Sequence, residues 1–273
     1  MAITLVGHSC LDNIVENGHV VQTRAGGVPV YGMPALLSVG RRCFIYTKYN
    51  PADVLISQAL SAGGKDVVHL PAQQTTAFAF NSDNGVLGEP SPRYLGEPII
   101  VNELDFSRSK VVYFAPLSAS DIDAECFAAS HNAGKRVIVD AQGLTREIPS
   151  AAHRKAAFAK LVFADVVKVT SAEAVWLFGS DQPGTVLAAF RQLGVNEVVI
   201  TSGAQGSWIG HGEEIVFIPA ERCPSAVDTV GCGDMYFSVY THARLQGHSA
   251  VNAGLTATAY VAQRLSEGCD THA

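Results

Sequence analysis

The chain lacks a basic excess, a long apolar run and any pairing of its cysteines. Its 19 lysines and arginines are outnumbered by 25 aspartates and glutamates, leaving a formal net charge of −6. A cationic face of the kind that nucleic acid or an anionic membrane needs is therefore not expected. No apolar stretch approaches the ~20 residues that span a bilayer. The six cysteines, at positions 10, 43, 126, 223, 232 and 269, show no Cys-x-x-Cys pair, and no histidine pair accompanies them. Neither a disulfide framework nor a zinc site is expected; free thiols in a reducing cytosol are. Internal repeats and low-complexity linkers are also missing. The opening residues Met-Ala-Ile-Thr-Leu-Val-Gly read as a strand rather than a secretory leader. The expectation is a cytoplasmic protein that binds neither nucleic acid nor membrane.

What is present is core. Hydrophobic residues make up 48% of the 273, and only 16% are charged, so a sizeable core can form without covalent staples. Ile3 to Val6 reads as a buried strand, and Val15 to Thr23 as a hairpin turning at Asn17-Gly18. A helix is expected from Met33 to Val39, a strand from Cys43 to Thr47, a helix from Asp53 to Ala62 closed by Gly63-Gly64, and a strand from Asp66 to Leu70. Lys48, at a strand end, is expected to be solvated, with contact to a substrate or phosphate as the alternative. Thr76 to Asn81 alternates as a half-exposed strand, Asn84-Gly85 is a turn, and Pro90, Pro92 and Pro98 interrupt the segment up to residue 101.

From residue 110 strands and helices alternate, the pattern of a parallel sheet. Strands are expected at Lys110–Ala115, Arg136–Asp140, Val166–Val169 and Glu197–Thr201. The intervening helices are Ser120–Ala133, Ala152–Ala164, Ser171–Phe178 and Gly184–Leu193. A hairpin over Ser207–Ile218 turns at His211-Gly212, and two apolar helices, Cys232–Leu245 and Ala250–Leu265, end the chain. The fold class is α/β, as one domain over 1–273.

One stretch carries chemistry. Val227-Asp228-Thr229-Val230-Gly231-Cys232-Gly233-Asp234 sets two acids six residues apart with two glycines between them, before an apolar helix. Gly231 and Gly233 leave the backbone bare, and a helix starting there offers its unsatisfied N–H groups to an anion. A carboxylate at that same end makes sense if it takes a proton from a hydroxyl while the N–H groups hold developing negative charge. A Gly-rich turn with an Asp cap on a core helix has the same spacing. Other candidates stand at strand ends. Asp12 lies just past the first strand, where open α/β sheets bind ligands, or forms a turn. Asp140 faces the central crevice or caps a turn.

Asp-Thr-Val-Gly-Cys-Gly-Asp resembles the Asp-Thr-x-Gly-Ala-Gly-Asp signature of the ribokinase (phosphofructokinase-B) family of carbohydrate and nucleoside kinases, with Cys232 in place of alanine. The rest of the chain keeps the family's order. Gly-x-x-x-x-Asp ends at Asp12, Gly26-Gly27 is the pair set against a sugar, and Glu173 closes an Asn-x-x-Glu pattern whose Asn is here Thr170. Thr201-x-Gly203-x-x-Gly206 resembles the nucleotide loop. The resemblance implies a three-layer α/β/α domain with a mostly parallel central sheet and a small β lid, drawn from about 15–25 and 75–101.

It implies ATP as donor, held at Thr201, Gly203, Gly206, Gly231, Gly233 and Asn252. Mg²⁺ would be organised by Glu173 through water, and a monovalent cation beside the 228–234 loop is left open. Asp234 would be the catalytic base, with the N–H groups of Gly231, Cys232 and Gly233 stabilising the transferring phosphoryl group; Asp228 would be its structural neighbour. Asp12, Gly26, Gly27, Tyr31 and Asp234 would bind the acceptor. Tyr31 stands where the family's Gly-Gly-x-x-x-Asn has asparagine, which replaces a hydrogen-bonding fork by an apolar wall. With Thr170 and the altered turn at 49–53, this is similar to the inositol-kinase branch. The expectation is ATP-dependent phosphorylation of a small polyol, myo-inositol or a related cyclitol. A sugar or nucleoside kinase (fructose, ribose, adenosine) is the runner-up, and a non-catalytic sugar-binding regulator the rival class. A monomer and a homodimer both remain open.

Overall fold

The computed structural model describes residues 2–83, 86–221, 223 and 229–267. Its strands are β1 Ile3–Val6, β2 Cys10–Glu16, β3 His19–Gly26, β4 Cys43–Tyr49, β5 Val67–Pro71, β6 Thr76–Asp83, β7 Val86–Leu87, β8 Ser91–Tyr94, β9 Val111–Phe114, β10 Arg136–Asp140, β11 Val166–Thr170, β12 Glu197–Thr201, β13 Gly206–His211 and β14 Glu214–Pro219. The helices are α1 Val28–Ser38, α2 Val54–Ala59, α3 Ala124–Asn132, α4 Ala151–Leu161, α5 Ser171–Phe178, α6 Pro183–Gln192, α7 Cys232–Leu245 and α8 Ala250–Ser266.

The main sheet has nine strands in the order β14-β13-β12-β11-β10-β9-β1-β4-β5. Seven of them, β12 through β5, pair in parallel; β13 and β14 form an antiparallel hairpin on the β12 edge. β1, β4 and β9 are buried along their whole length, as strands covered on both faces must be. The two faces follow from the alternation of side chains. Leu5, Ile45, Tyr113 and Ile138 join α1, α7 and α8 in one core; Val6, Tyr46, Phe114 and Val139 join α3 to α6 in the other. Helices on both faces of the sheet give the three-layer α/β/α architecture.

A second, five-stranded sheet has the order β3-β2-β6-β7, with β8 also on β6. It takes in Cys10–Glu16, so it starts before residue 15. Asn17 and Gly18 turn its first hairpin with φ of 51° and 80°, the left-handed pair that a two-residue hairpin favours. The partner of β2 on the other side is β6, in parallel, a pairing across most of the first 80 residues that no local pattern announces. The turn expected at Asn84-Gly85 lies outside the described residues.

Several expected boundaries move. α1 begins at Val28 rather than Met33, with Pro29 in its first turn, where a missing N–H costs nothing. Gly32 and Pro34 look like breakers but sit inside α1; a Cβ on Gly32 would lie 2.5 Å from Ser238 Oγ, so the glycine lets α1 close on α7. α2 ends at Ala59 and a tighter 3-10 turn runs over Ser61–Asp66, so Gly63-Gly64 does not cap it. α3 starts at Ala124, not Ser120. Lys48 is neither solvated nor turned to a ligand: it is buried, 2.8 Å from Glu103 Oε1, and donates to the Pro98 carbonyl. A lysine at a strand end is exposed only if nothing carries an acid to it, and here the segment leaving the small sheet does.

Candidate active site

α7 starts where the sequence places it, with Gly231 in the left-handed region at φ 79° as its N-cap. Glycine is required here twice over, because a Cβ would also lie 2.5 Å from Cγ of Tyr31. The Tyr31 ring of α1 thus packs directly on the start of α7. Its hydroxyl donates to the Ala25 carbonyl (3.3 Å), and it is buried, so the face turned to the site is apolar. Burial and the nearby Asp12 push its pKa far up.

Asp234 sits in the first turn of α7, 8% exposed. Burial and the negative charge of Asp140 push its carboxyl up to about 7, with Lys168 and Arg146 opposing and Asp12 adding to the rise. An aspartate that ionises near neutrality is a base poised to accept a proton. Asp12 on β2 stands opposite Arg24 of β3 and Phe78 of β6, buried, with the Cys10 thiol donating to its Oδ1 (3.4 Å). A Cβ on Gly26 would fall 2.2 Å from Asp12 Oδ2, so Gly26 makes room for that carboxylate. Gly27, at φ 92°, caps α1; a Cβ there would meet the His8 carbonyl oxygen. Asp12, Gly26, Gly27, Tyr31, Gly231 and Asp234 therefore converge, although the chain separates them by some 200 residues.

On the other side of the α7 start, the Cys232 N–H donates to the Thr229 carbonyl (3.2 Å), while the Gly231 and Gly233 N–H groups have no acceptor among the described residues. Asp228 lies outside the described residues. Thr201 ends β12, with Gly203 at φ 54° and Gly206 at φ 126° beyond it. The need for glycine at 206 is internal: a Cβ would meet Ile218 O at 2.2 Å, inside the β13–β14 pairing. Asn252 stands on α8, whose Gly254 packs on Ile218, the residue that Gly206 also meets. It lies exposed in the first turn of α8, its N–H donating to Ser249 Oγ. That turn flanks a cavity of about 150 Å³ with His211, Glu214 and Arg244, on the edge of the sheet away from Thr201.

Glu173 and Thr170 form a reciprocal cap on α5. Thr170 Oγ1 accepts from the Glu173 N–H (3.1 Å), and Glu173 Oε2 accepts from the Thr170 N–H (2.9 Å). Burial raises the Glu173 pKa, against the pull of Lys168. Its Oε1 takes no hydrogen bond from the described residues. No three metal-ligating side chains cluster among them. Mg²⁺ does not need such a cage, since it commonly keeps waters and takes one or two carboxylates plus donor phosphates. Glu173 fits that requirement through Oε1. Asp140 does not, because both its oxygens are 3.0 Å from Lys168 Nζ.

That ion pair is what the sequence did not show. Asp140 ends β10 and Lys168 lies beside it on β11, both almost fully buried. Burial works against the Lys168 charge, but Asp140, Glu173 and Asp234 outweigh it and hold the ammonium protonated. Arg146, just past the 3-10 turn after β10, was also unsignalled; its Nη1 donates to the Leu117 carbonyl (2.9 Å) and its guanidinium lies 4.4 Å from the centre of the Phe78 ring. Two cations in one crevice with Asp234 and Glu173 could have been suspected only from their shared position at strand ends.

A profile of pfkB family carbohydrate kinases matches residues 72–270. The chain belongs to this family. Among curated members, it is 29% identical over 99 residues to an ATP-dependent 6-phosphofructokinase of Thermoanaerobacterium thermosaccharolyticum, covering 35% of this chain and 30% of that protein. It is 32% identical over 107 residues to the 2-dehydro-3-deoxygluconokinase of Escherichia coli strain K12, covering 37% and 35%. The matched stretch thus spans about a third of each relative. Solved structures share the fold. A pyrophosphate-dependent kinase in the ribokinase family, bound to a pyrophosphate analog and myo-inositol, superposes with a TM-score of 0.82 at 22% identity over 96% of this chain and 94% of that one. The ribokinase of Thermotoga maritima gives 0.75 at 17% identity over 97% and 93%. A candidate ribokinase II of E. coli in complex with ATP and Mg²⁺ gives 0.77 at 16% identity over 97% and 92%. The ribokinase-like fold of this family member is thereby shown. No helix among the described residues is long and apolar enough to cross a membrane.

Proposed function

We propose that this protein transfers the γ-phosphate of ATP to a hydroxyl of a small polyol, with myo-inositol or a related cyclitol as acceptor, as a cytoplasmic monomer or homodimer. The observation that carries the reaction is Asp234, a buried carboxylate with a raised pKa at the start of α7. The acceptor hydroxyl gives its proton to Asp234 and its oxygen bonds to the γ-phosphorus. The bond from that phosphorus to the bridging oxygen breaks, and ADP leaves. The Gly231 and Gly233 N–H groups face the transferring charge, and Cys232 joins them if it releases Thr229. Thr201 and Gly203 hold the donor phosphates. Mg²⁺, when bound with the donor, neutralises phosphate charge, and Glu173 would hold it through water. Asn252, on α8, would stand at the adenine end of the donor, away from the transferring phosphate.

Tyr31 supports the acceptor class. With its hydroxyl turned to Ala25, it offers a flat apolar wall opposite Asp12, suited to a ring whose edge carries the hydroxyls. A second reading keeps the reaction and shortens the donor to pyrophosphate. The neighbour bound to myo-inositol is pyrophosphate-dependent, and here Lys168 Nζ lies at the α7 start, 3.5 Å from where a Cβ on Gly233 would stand. A panel assay tests all of these: ATP or pyrophosphate with Mg²⁺, against myo-inositol, other cyclitols, ribose, fructose, adenosine, fructose 6-phosphate and 2-dehydro-3-deoxygluconate. Turnover on a cyclitol alone is the expected result. Turnover only on one of the sugars moves the acceptor; tight binding of one compound with turnover of none makes the protein a regulator.

A further inference from the structure

We propose that Tyr113 and Ser238 are positioning residues for the reaction: their buried hydroxyls lie beneath Asp234, turn their hydrogens toward its ionised carboxylate, and hold that base charged until it takes the acceptor's proton. This rests on the kinase reading above, in which Asp234 is the base.

Tyr113 is the one polar residue of β9, otherwise Val111, Val112 and Phe114, and it is fully buried. Leu5 lies beside it on β1 and Ile138 on β10. Its ring meets that of Phe237 on α7 edge to face, with centroids 5.3 Å apart and planes at 86°. Phenylalanine would fill that space as well. The hydroxyl makes no hydrogen bond of good geometry among the described residues. A buried hydroxyl left without a partner weakens a fold, so packing does not account for it.

Ser238 repeats the pattern from α7. It is fully buried, and its Oγ also lacks a hydrogen-bond partner among the described residues, where alanine would carry no such cost. A Cβ on Gly32 would fall 2.5 Å from that Oγ, so the hydroxyl abuts bare backbone of α1. The serine stands four residues after Asp234, on the same face of the helix one turn down. Its hydroxyl bears on that of Tyr113, and so do the negative charges of Asp140 and Asp234. Two unclaimed hydroxyls, from a strand and a helix, thus come together beneath the catalytic carboxyl.

A hydroxyl hydrogen rotates to suit its surroundings, so it turns to a negative charge when one is present. Asp140 already has both oxygens on Lys168 Nζ, which leaves Asp234 as the charge that gains most. Around Asp234, Asp140 and Asp12 oppose ionisation, and Lys168 and Arg146 favour it. Tyr31 and Cys10 also feel its charge, but Tyr31 donates to the Ala25 carbonyl and Cys10 to Asp12. Cys43 of β4 bears on Tyr113, and its thiol is turned to the Phe44 carbonyl. Burial pushes the Tyr113 phenol well up, so it stays a donor. Neither hydroxyl gives up a proton. The acceptor proton ends on Asp234, and the hydroxyls relax as the charge disappears.

The test uses the full chain with Tyr113→Phe, Ser238→Ala and both together. Thr241→Val is the control: its hydroxyl is buried on α7 and unpartnered among the described residues, but it lies about two turns beyond Asp234. Carboxyl-carbon NMR of aspartate-labelled protein reads Asp234 without substrate. A hydrogen bond to a charged group moves an ionisation by about one to two pH units. The Asp234 titration, near 7 in wild type, should therefore rise by about one unit in Tyr113→Phe, further in the double variant, and not at all in Thr241→Val. With the donor and acceptor found by the panel, the acid limb of kcat/KM should move equally. A one-unit rise costs about fivefold at pH 7 and almost nothing at pH 9. At pH 5, where Asp234 is protonated throughout, Tyr113→Phe should melt at or above the wild-type temperature. A titration that stays in place in the double variant overturns the proposal. So does a loss of kcat/KM that is equal at pH 7 and pH 9, or a Tyr113→Phe protein that melts well below wild type at pH 5. No turnover by the wild-type protein with any pair overturns the kinase reading and this one with it; an active wild type with an unmoved titration overturns this one alone.

Discussion

Asp140 and Asp234 are both buried aspartates at the same crevice, and their surroundings set them apart. At the ends of β10 and β11, Asp140 is held by both oxygens to Lys168, so its charge is paired in place. At the start of α7, burial and Asp140 itself destabilise the charge on Asp234, and Lys168 and Arg146 relieve it in part. Two carboxylates of one type thereby take two tasks, one holding a cation and one exchanging a proton. A buried carboxyl raised toward neutrality, as Asp234 is, can serve in acid–base chemistry there.

The largest way to break this contrast is to remove the Asp234 carboxyl. Asp234→Asn should lower turnover about 10²- to 10⁴-fold, the usual weight of a positioned base. The same variant should be more stable than wild type at pH 8. A carboxyl whose folded pKa is raised is protonated in the folded state between its unfolded value and about 7. The folded protein therefore loses stability as pH rises through that window, and the asparagine does not. The gain should be on the order of 2–4 kcal/mol at pH 8 and vanish below about pH 4, read by thermal or urea unfolding across pH.

A smaller effect comes from the wall between the two ends of the chain. Gly231→Ala must place a Cβ at φ 79° and against the Tyr31 ring, costing about 2–4 kcal/mol of stability together with activity. Adding Tyr31→Ala should cost less in that background than in wild type, measured by denaturation, because it removes the clash and leaves the backbone strain. Tyr31→Asn alone should cost about 3–5 kcal/mol of stability, as loss of a buried aromatic does, and also change the choice of acceptor. We expect kcat/KM for cyclitols to fall about 10-fold against ribose or fructose, since a buried apolar wall gives way to a hydrogen-bonding fork. The smallest change is in pH dependence: in wild type, kcat/KM should fall as pH drops below about 7, as Asp234 becomes protonated.

The contrast also separates features that are local in the chain from those that are not. The α7 start was legible in the sequence because its parts are contiguous: two glycines, an acid and an apolar helix lie within a dozen residues. Most strands from β9 to β14 were legible for the same reason, being short apolar runs bounded by turn residues. Lys168, Arg146 and the pairing of Lys48 with Glu103 were not, because each acts on a partner 28 to 68 residues away, brought near only by the sheet order. The early start of α1 was hidden by Gly32 and Pro34, whose reasons are tertiary. Tyr31 was visible as a substitution in a motif, yet its contact with Gly231 appears only when residues 200 apart meet.

The central claim is that Asp234 is a buried carboxylate, compensated only in part, that ionises near neutrality. Carboxyl-carbon NMR of protein labelled at aspartate, recorded from pH 4 to 9 in wild type and Asp234→Asn, measures it without a substrate. The expected result is one resonance that titrates near 7 in wild type and is missing from the variant. A spectrum in which the resonance lost from the variant titrates near 4 would contradict the account.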